Sequence, residues 1–448
     1  MPLLLLVSVG GCRSKAKPAP MAAGVDAAAS SSVETRANIP TARAWRTAPV
    51  FSAPIAAARS AHVSVVAGLV AAQQVIRVMG LSDGRATWTT DIIPGAKWSA
   101  GAELGIQRAA DGVSVVWRDG LGAAGAGTLV FIGANGQVRG APIVIGAAAC
   151  TTADGLAWVE PRGVPPAPAH PVRVLVRSWA EPGPREVMTL SPDRSPTLVC
   201  GARSAFVLGD GDDDLTVDVF VPGNPSARRP TLVLRDSDFA DEEREHEAFT
   251  VGDELDIVRI GVTGAVATRT VAGDQEPTPW RKLKHVLSDD DDLVAVDGEP
   301  SRTLLVFTRD TDTACPTAES GGQRVRALDV PRGSRSGGAD RLVDLAPPDC
   351  EGQRGPFWIP AGLSAGRGPV VAWVERGASP GEKAAPPVSG LAYRVVGVDG
   401  VRVGRIPLAA DAVVDGDCDE TACFAAALLR EPGSDGMSPG AMGVVTYP

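Results

Sequence analysis

The amino-acid sequence predicts an all-β fold, a single β-propeller of seven or eight four-stranded blades with eight favoured, its N-terminal strand closing the last blade. Three observations lead there. A short apolar strand ending in a charged or glycine-bearing turn recurs along the chain, at a spacing of about 40 to 55 residues that suits multi-stranded repeat units. Turn signals such as Ser-Asp-Gly, Ala-Asn-Gly and Val-Asp-Gly separate alternating apolar runs, and Asn-Gly and Asp-Gly tolerate the positive φ that hairpin turns need. Aromatic residues make up only 4% of the chain. The core must therefore be built from Val, Ala, Leu and Ile, shapes that suit stacked sheets.

Taken in order, the chain begins with "LLLLVSVGGC", an apolar run too short for a spanning helix, which needs about 20 apolar residues. It fits the apolar core of a signal peptide over residues 1–11. Val9, Gly10, Gly11 and Cys12 resemble a bacterial lipobox, in which a lipidated cysteine becomes the mature N-terminus. The resemblance implies lipidation of Cys12 and attachment to a membrane. No Lys or Arg precedes the apolar run, a departure from the usual export signal that leaves open whether Met1 is the true start. Arg13 follows the cysteine, where Asp would favour retention at the inner membrane, so the expected location is the outer membrane, facing periplasm or surface. Residues 12–43 have the Ala/Ser/Pro bias and low hydrophobicity of a flexible tether.

The propeller is expected over residues 44–448. Its recurring strand is seen as "GVSVVWRDG" from 112, "GLAWVEPRG" from 155 and "PVVAWVERG" from 369, with looser copies from 62, 204, 246, 292 and 423. Each is followed by two further strands around a glycine turn, as in "TLVFIGANGQVRGAPIVI". The last copy lacks an outermost strand, which "AWRTAPVFS" near residue 44 can supply. Within "GLSDGRATWTTDI", Asp83, Gly84 and Trp88 resemble a PQQ-like propeller repeat, which implies that Trp88 packs between blades. A lipobox joined to such a propeller is similar, at the level of class, to the lipoprotein of the outer-membrane β-barrel assembly machinery.

Six cysteines remain once Cys12 is set aside, without zinc-ligand spacing. In an exported protein they are expected to pair in sequence order: Cys150 with Cys200, Cys315 with Cys350 and Cys418 with Cys423. A net charge of −10 opposes binding to nucleic acid. Alternating Asp415, Asp417 and Asp419 have a spacing that can wrap oxygen ligands around Ca²⁺, although Glu420 stands where a glycine is expected and a solvated acidic turn is the favoured reading. No other cofactor is expected. The sequence "GLSAG" satisfies GxSxG at Ser364, but no helix follows the serine to make a nucleophile elbow. His62, His170, His246 and His285 are scattered, without metal-ligand spacing. The functional expectation is a non-catalytic, lipid-anchored envelope platform for a protein or glycan partner. The alternative is an exported hydrolase or lyase with its site in the central pocket.

Overall fold

The computed structural model describes the strands and most short turns between Arg43 and Tyr447. Residues 1–42, the longer loop segments 119–126, 162–170, 236–242, 312–321, 333–339, 347–360, 376–389 and 430–438, several shorter stretches, and the side chains of residues 361–415 lie outside the description. The described chain is almost entirely antiparallel strand; Ala71–Gln73 forms a single 3₁₀ turn.

Six four-stranded sheets and one seven-stranded sheet make up eight blades, because the long strand Arg43–Ser60 serves two of them. Its first half, Arg43 to Phe51, pairs with Gly440–Tyr447 as the outermost strand of blade 8, and its second half pairs with Val63–Val70 as the innermost strand of blade 1. The register breaks around Pro49 and between Ser52 and Ile55, where Pro54 stands. Proline lacks the N–H that a continuous ladder would use, so these are the places where one strand can leave a sheet and join the next. Blades 2 to 7 span residues 103–145, 148–190, 195–235, 243–286, 291–346 and 361–407. Each innermost strand touches the innermost strands of both neighbouring blades, and the series closes on itself between residues 43–60 and 413–418.

The core lies between blades. Val65, Ala67 and Val78 of blade 1 pack on Val113, Val115 and Trp117 of blade 2. On its other side, Val66, Val70 and Met79 meet Phe424, Leu428 and Met442 of blade 8. The same division recurs farther round: Phe206 and Leu208 of blade 4 face Leu255 and Ile257 of blade 5, while Ala205 and Val207 face blade 3. A second strand buried on both faces must be apolar at odd and even positions alike. That is why the recurring motif reads as a continuous run. Trp88 shows the packing expected of it, lying against Gly80 of its own blade and Gly136 in a turn of blade 2, so that a Cβ at either glycine would meet its ring. Thr90 donates to the carbonyl of Gly136, fastening the same junction. Asp83 and Gly84 lie outside the described residues.

One feature of the repeat is corrected. In blades 1, 2, 3, 4, 7 and 8 the recurring motif is the second strand, but the copies from 246 and 292 fall on innermost strands, Glu243–Val251 and Asp291–Glu299. The true second strands there are Glu254–Gly261 and Arg302–Thr311. In these two blades the first hairpin turn carries the Gly/Asp/Glu signal that elsewhere follows the second strand. The blade count survives, because each blade still contributed one copy.

Candidate functional site

The face bearing the turns between first and second, and between third and fourth, strands is tightly fastened. Cys150 and Cys200, on the innermost strands of blades 3 and 4, form a disulfide with Cα atoms 5.6 Å apart. The Thr250 hydroxyl of blade 5 donates to the Cys200 carbonyl at 2.7 Å. The first turns of blades 3, 4 and 5 are linked by backbone bonds, from Ala153 N to Ala202 O and from Ala202 N to Gly252 O, each 2.7 Å long. The Asp253 carboxylate accepts from the N–H groups of Arg203 and Ser204, and Arg203 Nε donates to Asp154 at 3.0 Å. Asp417 closes the other side: it accepts from Arg59 N at 2.7 Å and from Arg108 Nε at 2.8 Å, joining blades 8, 1 and 2.

Beside this fastened region a cleft of about 290 Å³ opens between blades 2 and 3. The Phe131 and Trp179 rings line it, with centroids 5.3 Å apart. Trp179 follows the third strand of blade 3; its ring N–H lies 3.4 Å from Thr152 O, and the residue stays 38% exposed. Arg139 lies over Phe131 at 5.6 Å and pairs with Asp111 at 2.6 Å. Arg177 completes the wall, its Nε donating to Glu181 O at 3.3 Å. Gly140, at φ +77°, borders the opening and has no atom within 4 Å of where a Cβ would stand, so the backbone conformation and the open space both suit glycine. Two guanidiniums, one carboxylate and two aromatic rings line the cleft.

A second polar cluster sits on the opposite face, between blades 4 and 5. His246 Nδ1 lies 2.6 Å from Glu243 Oε1, and the Arg259 guanidinium, 2% exposed, pairs with the same carboxylate. Burial pushes the Glu243 carboxyl up, but the hydrogen bond and charge of His246 and the charge of Arg259 outweigh it and hold it below its ordinary value. Burial pushes the His246 imidazole down, and the Glu243 bond together with the charges of Glu243 and Asp210 more than reverses this, raising it overall. A lowered carboxyl contributes stability above its unfolded value, lost as pH falls through the folded one; a raised imidazole contributes stability below its unfolded value, lost as pH rises through the folded one. With ordinary values of 4.5 and 6.5, the pair stabilises most between those limits. Stability measured by denaturant titration is therefore expected to fall from pH 6 to pH 9, and His246→Gln to flatten that slope; an unchanged slope in the variant would show that the pair does not set it.

Of the site residues expected from sequence, Asp417 is drawn into the ring clasp with Arg59 and Arg108. Asp415 shares its strand, Val413–Cys418, and Asp419 lies outside the described residues. Among the described residues no group of three His, Cys, Asp or Glu side chains is placed to hold a metal ion. Cys423 is disulfide-bonded, and Cys418 is the residue opposite it in register. Cys12, Cys315, Cys350, His62 and His170 lie outside the described residues. Ser364 ends the innermost strand of blade 7, Ala361–Ser364, which pairs antiparallel with the next strand, Gly368–Glu375. His285 Nε2 lies 3.0 Å from the carbonyl of Asp340 in blade 6. The cleft residues Asp111, Phe131, Arg139, Arg177 and Trp179 carry no local sequence motif.

No family model and no curated protein matches the chain. Among solved structures it is similar to a prolyl endopeptidase from a study of two such enzymes, at 11% identity over 85% of this chain and 55% of that one, with a TM-score of 0.50. Prolyl oligopeptidase B from Galerina marginata matches at 11% identity over 73% of this chain and 47% of that one, TM-score 0.44. The dihydro-heme d1 dehydrogenase NirN, in complex with DHE, matches at 11% identity over 80% of this chain and 66% of that one, TM-score 0.44. The chain thus spans about half the length of the two prolyl peptidase structures. Likeness to the first supports the β-propeller fold.

Proposed function

We propose that the chain is a lipid-anchored envelope protein whose propeller acts as a non-catalytic binding platform, with the cleft between blades 2 and 3 as its recognition site. The observation that carries this reading is the make-up of that cleft. Its charged groups form an ion pair beside two aromatic rings, on a face held by a disulfide and interblade hydrogen bonds. Rigid elements that present exposed aromatic and arginine side chains are suited to recognition, since little ordering remains to be done on binding. The lipobox ending at Cys12 and the tether behind it support attachment at the outer membrane. The other reading, an exported hydrolase or lyase, puts its site in the central pocket; the His and Glu pair that could serve it, Glu243 and His246, lies instead between blades 4 and 5, where Arg259 already engages the carboxylate.

Metabolic labelling with a palmitate analogue is expected to mark the wild-type protein and leave Cys12→Ser unlabelled. Equal labelling of both would overturn the anchor. Esterase, peptidase and glycosidase substrates are expected to turn over no faster with the purified protein than in buffer; turnover abolished by His246→Gln would favour the enzymatic reading instead.

A further inference from the structure

We propose that the cleft between blades 2 and 3 takes one pyranose ring carrying a carboxylate, a hexuronic acid unit of an acidic saccharide; this rests on the reading of the cleft as the binding site. Size is the first constraint. A volume of about 290 Å³ stands at the lower end of small-molecule pockets, which run from about 300 to 1,000 Å³, and holds a single ring rather than an extended chain. The mouth is open beside the half-exposed Trp179, so further units of a polymer can run out into solvent.

Chemistry is the second constraint. The Trp179 ring, 38% exposed and inclined by 34° on the buried Phe131 ring, gives the cleft an apolar wall against which the C–H face of a sugar can lie. Arg139 and Arg177 against Asp111 leave the lining with an excess positive charge. The Arg139 and Asp111 pair is about half exposed, at 49% and 63%, and such pairs are weak in water. An incoming carboxylate can therefore share Arg139 in a charge-assisted, two-pronged contact, while Asp111 remains placed to accept from sugar hydroxyls. A neutral sugar would forgo the arginine contact.

The test uses the folded protein labelled with 5-fluorotryptophan, the residue-179 resonance being identified by its loss in Trp179→Phe. Glucuronate is expected to shift that resonance, with glucose requiring at least about a tenfold higher concentration, the equivalent of 1.4 kcal/mol. Arg139→Gln combined with Arg177→Gln should bring glucuronate down to the level of glucose at an unchanged melting temperature. Equal binding of glucose and glucuronate would overturn the proposal. If benzoate or an envelope extract shifts the resonance and glucuronate does not, the saccharide assignment falls and the cleft stands as the binding site. If none of the probes moves it, both fall.

Discussion

Phe51→Ala is expected to destabilise the protein by about 3–5 kcal/mol, the usual cost of emptying a buried Phe site. Phe51 is 1% exposed and sits where the long strand Arg43–Ser60 passes from blade 8 to blade 1, packed in one cluster with Val66, Met79, Phe424 and Met442. A Cβ at Gly68 would lie 2.8 Å from its ring, so the glycine provides the space that the ring fills. The loss thus falls on the junction that closes the ring. Urea unfolding of Phe51→Ala beside Phe51→Leu separates cavity from closure: the leucine variant should recover most of the loss. A chain beginning at Ser52 would lack the outermost strand of blade 8, leaving Gly440–Tyr447 as an unpaired edge, and is expected to associate through it. A monomeric, equally stable truncated chain would refute closure by this strand.

Asp291→Ala is the second large effect. Asp291 is fully buried at the start of the innermost strand of blade 6, with its carboxylate 2.9 and 3.1 Å from Arg326 Nη1 and accepting from the Ser288 backbone N at 2.8 Å. Removing one member of a buried ion pair leaves the other charge uncompensated, at a cost of about 3–5 kcal/mol. Asp344, 3.5 Å from Arg326 Nε but largely exposed, offsets part of this. Asp291→Asn keeps an acceptor for Ser288 and is expected to lose less than the alanine variant. A change below about 1 kcal/mol in Asp291→Ala, in the range of surface pairs, would refute a buried pair. The Arg244 guanidinium of blade 5 donates to the Asp291 carbonyl at 2.7 Å, so the same residue also holds two blades together.

Much of this architecture is legible in the sequence because its determinants are local. Asn135 and Gly136 stand in the turn that joins the third and fourth strands of blade 2, where Gly136 takes φ +81°. Leu156 to Val159 read as an unbroken apolar run because Leu156 and Trp158 face blade 2 while Ala157 and Val159 face blade 4. The closing strand near residue 44 follows from counting, since the last copy lacks an outermost partner. The displaced copies at 246 and 292 mark the limit of this reasoning, for a strand with its turn looks alike whether it is first or second in a blade.

The sequence by itself determined an all-β ring of repeated blades and its closure by the N-terminal strand, because turn chemistry and apolar runs act over a few residues. Only the tertiary structure decided what meets across blades. It draws Asp417 from an acidic stretch into the clasp with Arg59 and Arg108, and gathers Asp111, Phe131, Arg139, Arg177 and Trp179 into one cleft. These residues belong to turns and strand ends of different blades. Their proximity is set by how blade faces stack, through small apolar side chains such as Val, Ala and Leu, and that packing leaves no spacing in the chain from which the cleft could be read.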